Sequence, residues 1–190
     1  MVSAILLAAG QSKRMNGENK LAKEMQGIPL IKLSVKNILA SSINELIIVL
    51  GHQKEIIEKL VDKHEKTKFV FNKNFESGMA SSIKTGLNHL SKNSEAFFIC
   101  LGDMPMINSD IYNQLIKSRN QKNIIVPTYN VQQGNPVLFD KSMKEKVMGI
   151  TGDVGAKKMI ADNEKKVFKL SIQDKAVITD FNNITDFESK

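Results

Sequence analysis

An α/β fold, built as one domain over residues 1–190 with a mostly parallel central sheet and helices on both faces, is predicted by three observations. Short apolar runs alternate with segments of helical period along the chain, the pattern of a sheet with covered faces. The runs at 2–9, 45–51 and 96–101 are apolar at consecutive rather than alternate positions, as strands buried on both sides are. No repeat, low-complexity tract or Pro/Gly/Ser-rich linker divides the sequence, and 190 residues are enough for one sizeable core.

Taken in order, residues 2–9 form a buried first strand that stops at Gly10. Pro29 opens a helix with Leu30, Leu33, Ile38 and Leu39 on one stripe. Residues 45–51 give a second strand, and 53–63 carry Ile56, Ile57, Leu60 and Val61 at helical spacing. A short third strand at 69–71 is followed by a helix over 78–90. Residues 96–101 are the most apolar strand, expected at the sheet centre, and a helix over 109–118 leads into a strand at 124–127. The remainder is richer in polar loops: a turn into a strand at 134–139, helices near 140–148 and after Asp153, and short strands at 167–170 and 176–178.

Composition narrows the function classes. Hydrophobic residues make up 42% and charged residues 25%, which is ordinary for a globular protein. No window approaches the roughly 20 apolar residues of a membrane span, and the first residues lack the pattern of a signal peptide, so a cytoplasmic location is expected. The single cysteine, Cys100, allows neither an internal disulfide nor a cysteine-based metal cluster. The formal charge of +7 is spread along the chain, and only Arg14 and Arg119 among the 27 basic residues are arginine. Base-reading surfaces use more arginine, so the expectation is no nucleic acid and no membrane partner. The surplus suits solubility or the attraction of a polyanionic small molecule such as a nucleoside triphosphate.

In an open α/β sheet, ligands sit beyond the carboxyl ends of the strands. The loops 10–20, 72–82 and 102–105 should therefore share one crevice. In the first, Leu7-Ala8-Ala9-Gly10 ends a strand in small residues, followed by Ser12, Lys13 and Arg14. Backbone N–H groups there can approach a phosphate without a Cβ in the way, and Arg14 offers a forked, permanently charged donor set. It is not a Walker A loop; spacing alone favours an ordinary strand-to-loop turn with a solvated basic tip. Lys20 supplies a mobile point charge suited to a triphosphate, while Lys23 reads as a surface residue. The segment from Asn72 through Gly78 to Ser81 and Ser82 opens a helix, which is either an anion site or a helix start capped by Ser77 or Ser81. Asp103, in Leu101-Gly102-Asp103-Met104-Pro105, stands at a central strand tip, where a carboxylate must be paired or metal-bound to offset its desolvation. Asn108 and Ser109 are better placed than Asp103 to cap the next helix.

The opening LAAG-x-S-x-RM, followed by Lys20-Leu21 and Gly27-Ile28-Pro29-Leu30, resembles the sugar-nucleotide-type nucleotidyltransferases. Among them it is most similar to the molybdenum cofactor nucleotidyltransferases, especially the cytidylyltransferase branch. The resemblance implies a Rossmann-like, glycosyltransferase-A-like fold and nucleotide binding by Leu7, Ala8, Ala9, Gly10, Ser12, Arg14, Lys20, Asn72, Gly78, Ser82 and Asp103. Arg14, Lys20 and Asp103 would be catalytic. Asp103 would bind a divalent metal that bridges the triphosphate, Mg2+ or alternatively Mn2+. Gly134, Asn135 and Asp153 would line the acceptor side, although Asp153 reads equally as a helix N-cap. Lys157 stands where the family has arginine, which keeps charge but loses the fork. The tail 180–186 departs most: Asp180 and Asp186 match, whereas Asn182 replaces an acid, leaving Asp180 as the better second metal ligand.

The resemblance further implies nucleotidyl transfer to the phosphate of molybdopterin with release of pyrophosphate. CTP is favoured over GTP because Ala9 stands where GTP users have glycine. A guanylyltransferase of the same family and a sugar- or polyol-phosphate enzyme are alternatives. A third is a non-catalytic protein that carries the cofactor to a molybdenum hydroxylase apoenzyme.

Overall fold

The computed structural model describes residues 1–12, 18–153 and 155–181. Its elements are β1 (Val2–Ala8), a hairpin of β2 (Glu24–Met25) and β3 (Ile28–Pro29), α1 (Leu30–Leu39), β4 (Glu45–Leu50), α2 (Lys54–Leu60), β5 (Thr67–Phe71) and α3 (Met79–Asn88). There follow β6 (Ala96–Leu101), α4 (Ser109–Lys117), β7 (Ile124–Tyr129), β8 (Gln132–Gln133), β9 (Val137–Asp140), α5 (Lys144–Met148), α6 (Lys157–Asp162) and β10 (Val167–Ser171). One sheet runs β10-β7-β9-β6-β1-β4-β5, with β8 added on β7. Its pairings are parallel except those made by β8 and β9. The first four strands of this sheet in chain order thus lie third-second-first-fourth, the Rossmann-type arrangement.

Consecutive apolar residues are required because both sheet faces are covered. Ala4, Leu6 and Ala8 of β1, with Leu46, Ile48 and Leu50 of β4, pack on one side with Ile31, Val35 and Ile38 of α1 and Ile111 and Leu115 of α4. Ile5, Ile47, Val49 and Phe97 face the other way, onto Ile83 and Leu87 of α3, Val147 of α5 and Ile160 of α6. Central β6 pairs in register with β9, where Phe97 stacks on Phe139 with ring centroids 5.4 Å apart.

The structure corrects the sequence reading in a few places. Of the predicted α1 stripe, Leu30 and Ile38 are buried but Leu33 and Leu39 only partly so, and Ile31 and Val35 complete the buried face. Residues 176–178 are not a strand but part of a 3-10 turn, Lys175–Ile178. Asp174 caps that turn by accepting from the Ala176 N–H at 2.8 Å, and the Val177 carbonyl accepts from Asn135 N–H, so no strand partner is left for it. The β2–β3 hairpin was not foreseen; it turns through Gln26 and Gly27, both at positive φ, as a two-residue hairpin loop demands.

α3 lies close on β1 because Gly86 has no side chain. A Cβ there would stand 2.3 Å from Ile5 Cγ2 and 3.2 Å from Val49 Cγ2. Gly86→Ala should gain about 1 kcal/mol of helix propensity and lose about 1–3 kcal/mol to overpacking. The expected outcome is a lower melting temperature, by up to about 8 °C for a chain of this size. A raised Tm in thermal unfolding would show that the α3–β1 contact is looser than described.

Candidate functional site

The loops that follow β1, β5 and β6 open onto one cleft of about 1490 Å³, at the carboxyl ends of the parallel strands. Leu7, Ala9, Gly10, Ser12, Lys20, Gly78, Ser82 and Asp103 line it from the nucleotide side proposed by the sequence. Gly134, Asn135, Asp153 and Asp180 line it as well. Ala8 and Asn72 do not: Ala8 is in the core, and Asn72 is buried beneath the loop. Arg14, Asn182 and Asp186 lie outside the described residues.

Gly10 is exposed, and among the described residues a Cβ built on it would meet nothing within 4 Å. The cleft edge at the end of β1 is therefore open to a ligand. Ala9 is only 4% exposed, and its methyl sits against Gly51, where a Cβ would be 2.7 Å from both Ala9 Cβ and Phe75 Cβ. Ala9 and Phe75 make one wall of the cleft, backed by Gly51.

Across from them, Lys20 Nζ is 2.5 Å from Asp103 Oδ2, with both side chains 17% exposed. The strand-tip carboxylate is thus compensated by an ammonium. The turn Lys20–Ala22 is fixed at its start by Asn19, whose side-chain oxygen accepts from the Leu21 N–H at 3.1 Å. Ser12 Oγ accepts from the Lys20 N–H at 3.0 Å, tying the lysine to the β1 loop. Lys23 pairs with Glu18 instead, as a surface residue would. Asn108 caps α4 through the Ile111 N–H, so Asp103 has no capping duty.

The loop bearing Asp103 is held from two more directions. Ser34 Oγ donates to the Gly102 carbonyl at 3.0 Å, and Asn37 Nδ2 to the Pro105 carbonyl at 2.8 Å. These α1 residues escaped the sequence reading; their only signal is a polar pair three apart beside an apolar stripe. The Phe181 N–H donates to the Asp103 carbonyl at 3.0 Å, and Phe181 is buried. That tether brings exposed Asp180 to the same cleft as Asp103. Among the described residues no group of three or more His, Cys, Asp or Glu side chains could hold a metal. Asp103 and Asp180 are the two carboxylates that the Phe181 tether links on this side of the cleft. That set fits a hard cation such as Mg2+ or Mn2+, which keeps waters and takes the rest of its shell from substrate phosphates.

The α3 N-terminus is not a vacant anion site. Asp153 Oδ1 accepts from the Met79 N–H at 2.9 Å, and the Gly152 carbonyl accepts from the Ala80 N–H at 3.0 Å. Asp153 thus caps the start of α3 from across the chain, beside the N-cap residue Gly78, rather than the helix that follows it. Neither Ser77 nor Ser81 caps α3: Ser77 Oγ donates to the Asn74 carbonyl and Ser81 Oγ to the Gly78 carbonyl. Gly78, at φ +98°, allows the approach, because a Cβ would stand 2.8 Å from the Gly152 oxygen. Asn72 serves the same loop by donating to the hydroxyls of Ser81 and Ser82 at 2.7 and 3.0 Å.

On the opposite wall, Asn135 N–H donates to the Val177 carbonyl at 2.8 Å, and a Cβ on Gly134 would meet that oxygen at 2.2 Å. Gln132 and Gln133 of β8 also line the cleft, within a stretch that the sequence shows only as a polar flap. Cys100 offers no nucleophile: burial pushes its thiol up to about 12, a hydrogen bond with Tyr112 opposing this.

Comparison with known proteins fits this geometry. Residues 4–167 match the family described as the MobA-like NTP transferase domain. The chain belongs to that family. A bifunctional protein GlmU of Syntrophomonas wolfei is 25% identical over 178 residues, 90% of this chain and 37% of that protein. A probable molybdenum cofactor guanylyltransferase of Methanosarcina acetivorans is 32% identical over 133 residues, 67% of this chain and 57% of that protein. The chain thus spans roughly a third to just over half of these relatives' lengths. The crystal structure of Rv0371c from Mycobacterium tuberculosis superposes with a TM-score of 0.88 at 20% identity, covering 98% of this chain and 95% of that one. The same protein in complex with manganese gives 0.78 at 18% identity, covering 90% and 88%. These structural likenesses show that the α/β fold is shared over nearly the whole chain. Among the described residues no helix is long and apolar enough to cross a membrane.

Asp153→Ala tests the capping role. It should lower stability by about 1 kcal/mol, the worth of an N-cap, read as a shift in the urea midpoint at unchanged slope. A variant as stable as its parent would return Asp153 to the cleft chemistry.

Proposed function

We propose that the protein is a metal-dependent nucleotidyltransferase that uses CTP in preference to GTP and a molybdopterin-type phosphate as acceptor. The observation that carries this reading is Asp103: a partly buried strand-tip carboxylate, paired with Lys20 and tethered to the Asp180 segment, in a cleft beyond the strand ends.

Asp103 and Asp180 would hold the divalent ion, Mg2+ in this reading. Once bound, that ion supplies charge neutralisation on the triphosphate. The Gly10 loop offers backbone N–H groups and open space to the phosphates, while Lys20 brings its ammonium to their oxygens; the sequence assigns Arg14 to the same task. An oxygen of the acceptor phosphate forms the new bond to the α-phosphorus in line, and the α–β bridging bond breaks with its electron pair on pyrophosphate. An ionised phosphate acceptor requires no base from the protein, so catalysis is positioning and electrostatics. Gly134 and Asn135, fixed by Val177, would form the acceptor wall. Delivery of the dinucleotide product to a molybdenum hydroxylase extends the same reading.

The relative named as a guanylyltransferase favours GTP as the second reading. Ala9 separates the two. In this reading Ala9, on the wall with Phe75 and backed by Gly51, sets how far a base can enter, and a misfit of one methyl is worth ~1–3 kcal/mol in pocket discrimination. Pyrophosphate release should favour CTP by kcat/KM, and Ala9→Gly should raise the GTP/CTP ratio by tens of fold at most. Asp103→Asn, folded as judged by circular dichroism, should lose turnover with either nucleotide. A parent enzyme that prefers GTP refutes the cytidylyl reading, and near-normal turnover in Asp103→Asn refutes the metal assignment.

A further inference from the structure

We infer that Lys20 is the resident counter-ion of the metal-binding carboxylate, and that its occupancy of Asp103 makes metal binding conditional on the nucleotide. The inference rests on the reading of Asp103 as a metal ligand. Lys20 Nζ lies 2.5 Å from Asp103 Oδ2, and neither side chain is more than 17% exposed. The ammonium therefore stands on a carboxylate oxygen that a cation would take. Its backbone is fixed without Asp103, by Ser12 Oγ at the Lys20 N–H and by the Lys23 N–H at the Lys20 carbonyl. The side chain can swing on its four-carbon stem while the turn stays in place.

A divalent ion arriving alone must displace the ammonium from Asp103 and leave two cations crowded in a pocket of low exposure. Arriving as the chelate of a triphosphate, the same ion brings anionic oxygens to receive Lys20. The exchange is then charge for charge: Lys20 passes from carboxylate to phosphate as Asp103 passes from ammonium to metal. Asp180, exposed on the cleft, adds a second carboxylate to the arriving ion. This predicts weak affinity for free metal and tight affinity for the metal–nucleotide pair. It also spares the empty cleft an uncompensated carboxylate, which is costly when partly buried.

The test is Mn2+ titration of the full chain, followed by water-proton relaxation enhancement, with and without CTP. The parent should bind Mn2+ weakly alone and strongly with CTP. Lys20→Met should bind Mn2+ alone about fivefold more tightly than the parent, the upper scale of one partly exposed ion pair. Lys20→Arg, which keeps a cation on Asp103, should stay at the parent's level. Adding Asp103→Asn to Lys20→Met should erase the gain. If Lys20→Met, folded by circular dichroism, binds free Mn2+ no more tightly than the parent, the counter-ion role is overturned. The reading of the site survives in that case provided Asp103→Asn alone removes CTP-dependent Mn2+ binding. If Asp103→Asn leaves that binding intact, the ligand assignment fails and the inference falls with it.

Discussion

A carboxylate at the tip of a central strand has to be compensated, and the cleft is organised around how Asp103 is. Its ion pair with Lys20 joins residues 83 positions apart in sequence. The pair forms because β1 and β6 are neighbours in the sheet and Lys20, bonded through its N–H to Ser12 just beyond β1, lies within reach of the end of β6. Ser34, Asn37 and Phe181 then hold the loop on either side of Asp103 by its carbonyls. Charge fixes what must meet, and backbone hydrogen bonds fix where.

The rest of the cleft is built by close backbone approach. Gly78 lets the Gly152–Asp153 turn reach the start of α3, and Gly134 lets the turn before β9 rest on the Val177 carbonyl. In both places a second segment satisfies N–H groups that would otherwise be left without partners at a helix or strand end. Polar groups that line the cleft include the Lys20–Asp103 pair, Glu76, Asp180 and, from the far side, Gln132, Gln133 and Lys157.

The parallel sheet was legible in the sequence because β1, β4 and β6 are each covered on both faces, which forces uninterrupted apolar runs. The crevice followed from topology, and Asp103 from the cost of leaving a carboxylate unpaired. Elements stabilised by partners far along the chain were less legible. Residues 176–178 look like a strand by composition, yet their partner is Asn135 and not a strand. Asp153 reads as a cap for the helix after it, while its acceptor oxygen serves α3. The alliance of Lys20 with Asp103 was invisible for the same reason, since each residue alone suggests a ligand contact. Ser34 and Asn37 were hidden beside an apolar stripe whose core face settles only when the sheet is in place.

The central claim, that this cleft joins a nucleotide to a phosphate acceptor, is tested most directly by the mass of the product. The purified protein would be incubated with Mg2+, molybdopterin and α-labelled CTP, and the acceptor fraction weighed. The account predicts that the acceptor gains a cytidylyl group, with the label retained and one pyrophosphate released for each dinucleotide formed. Release of free labelled CMP with an acceptor of unchanged mass would contradict it.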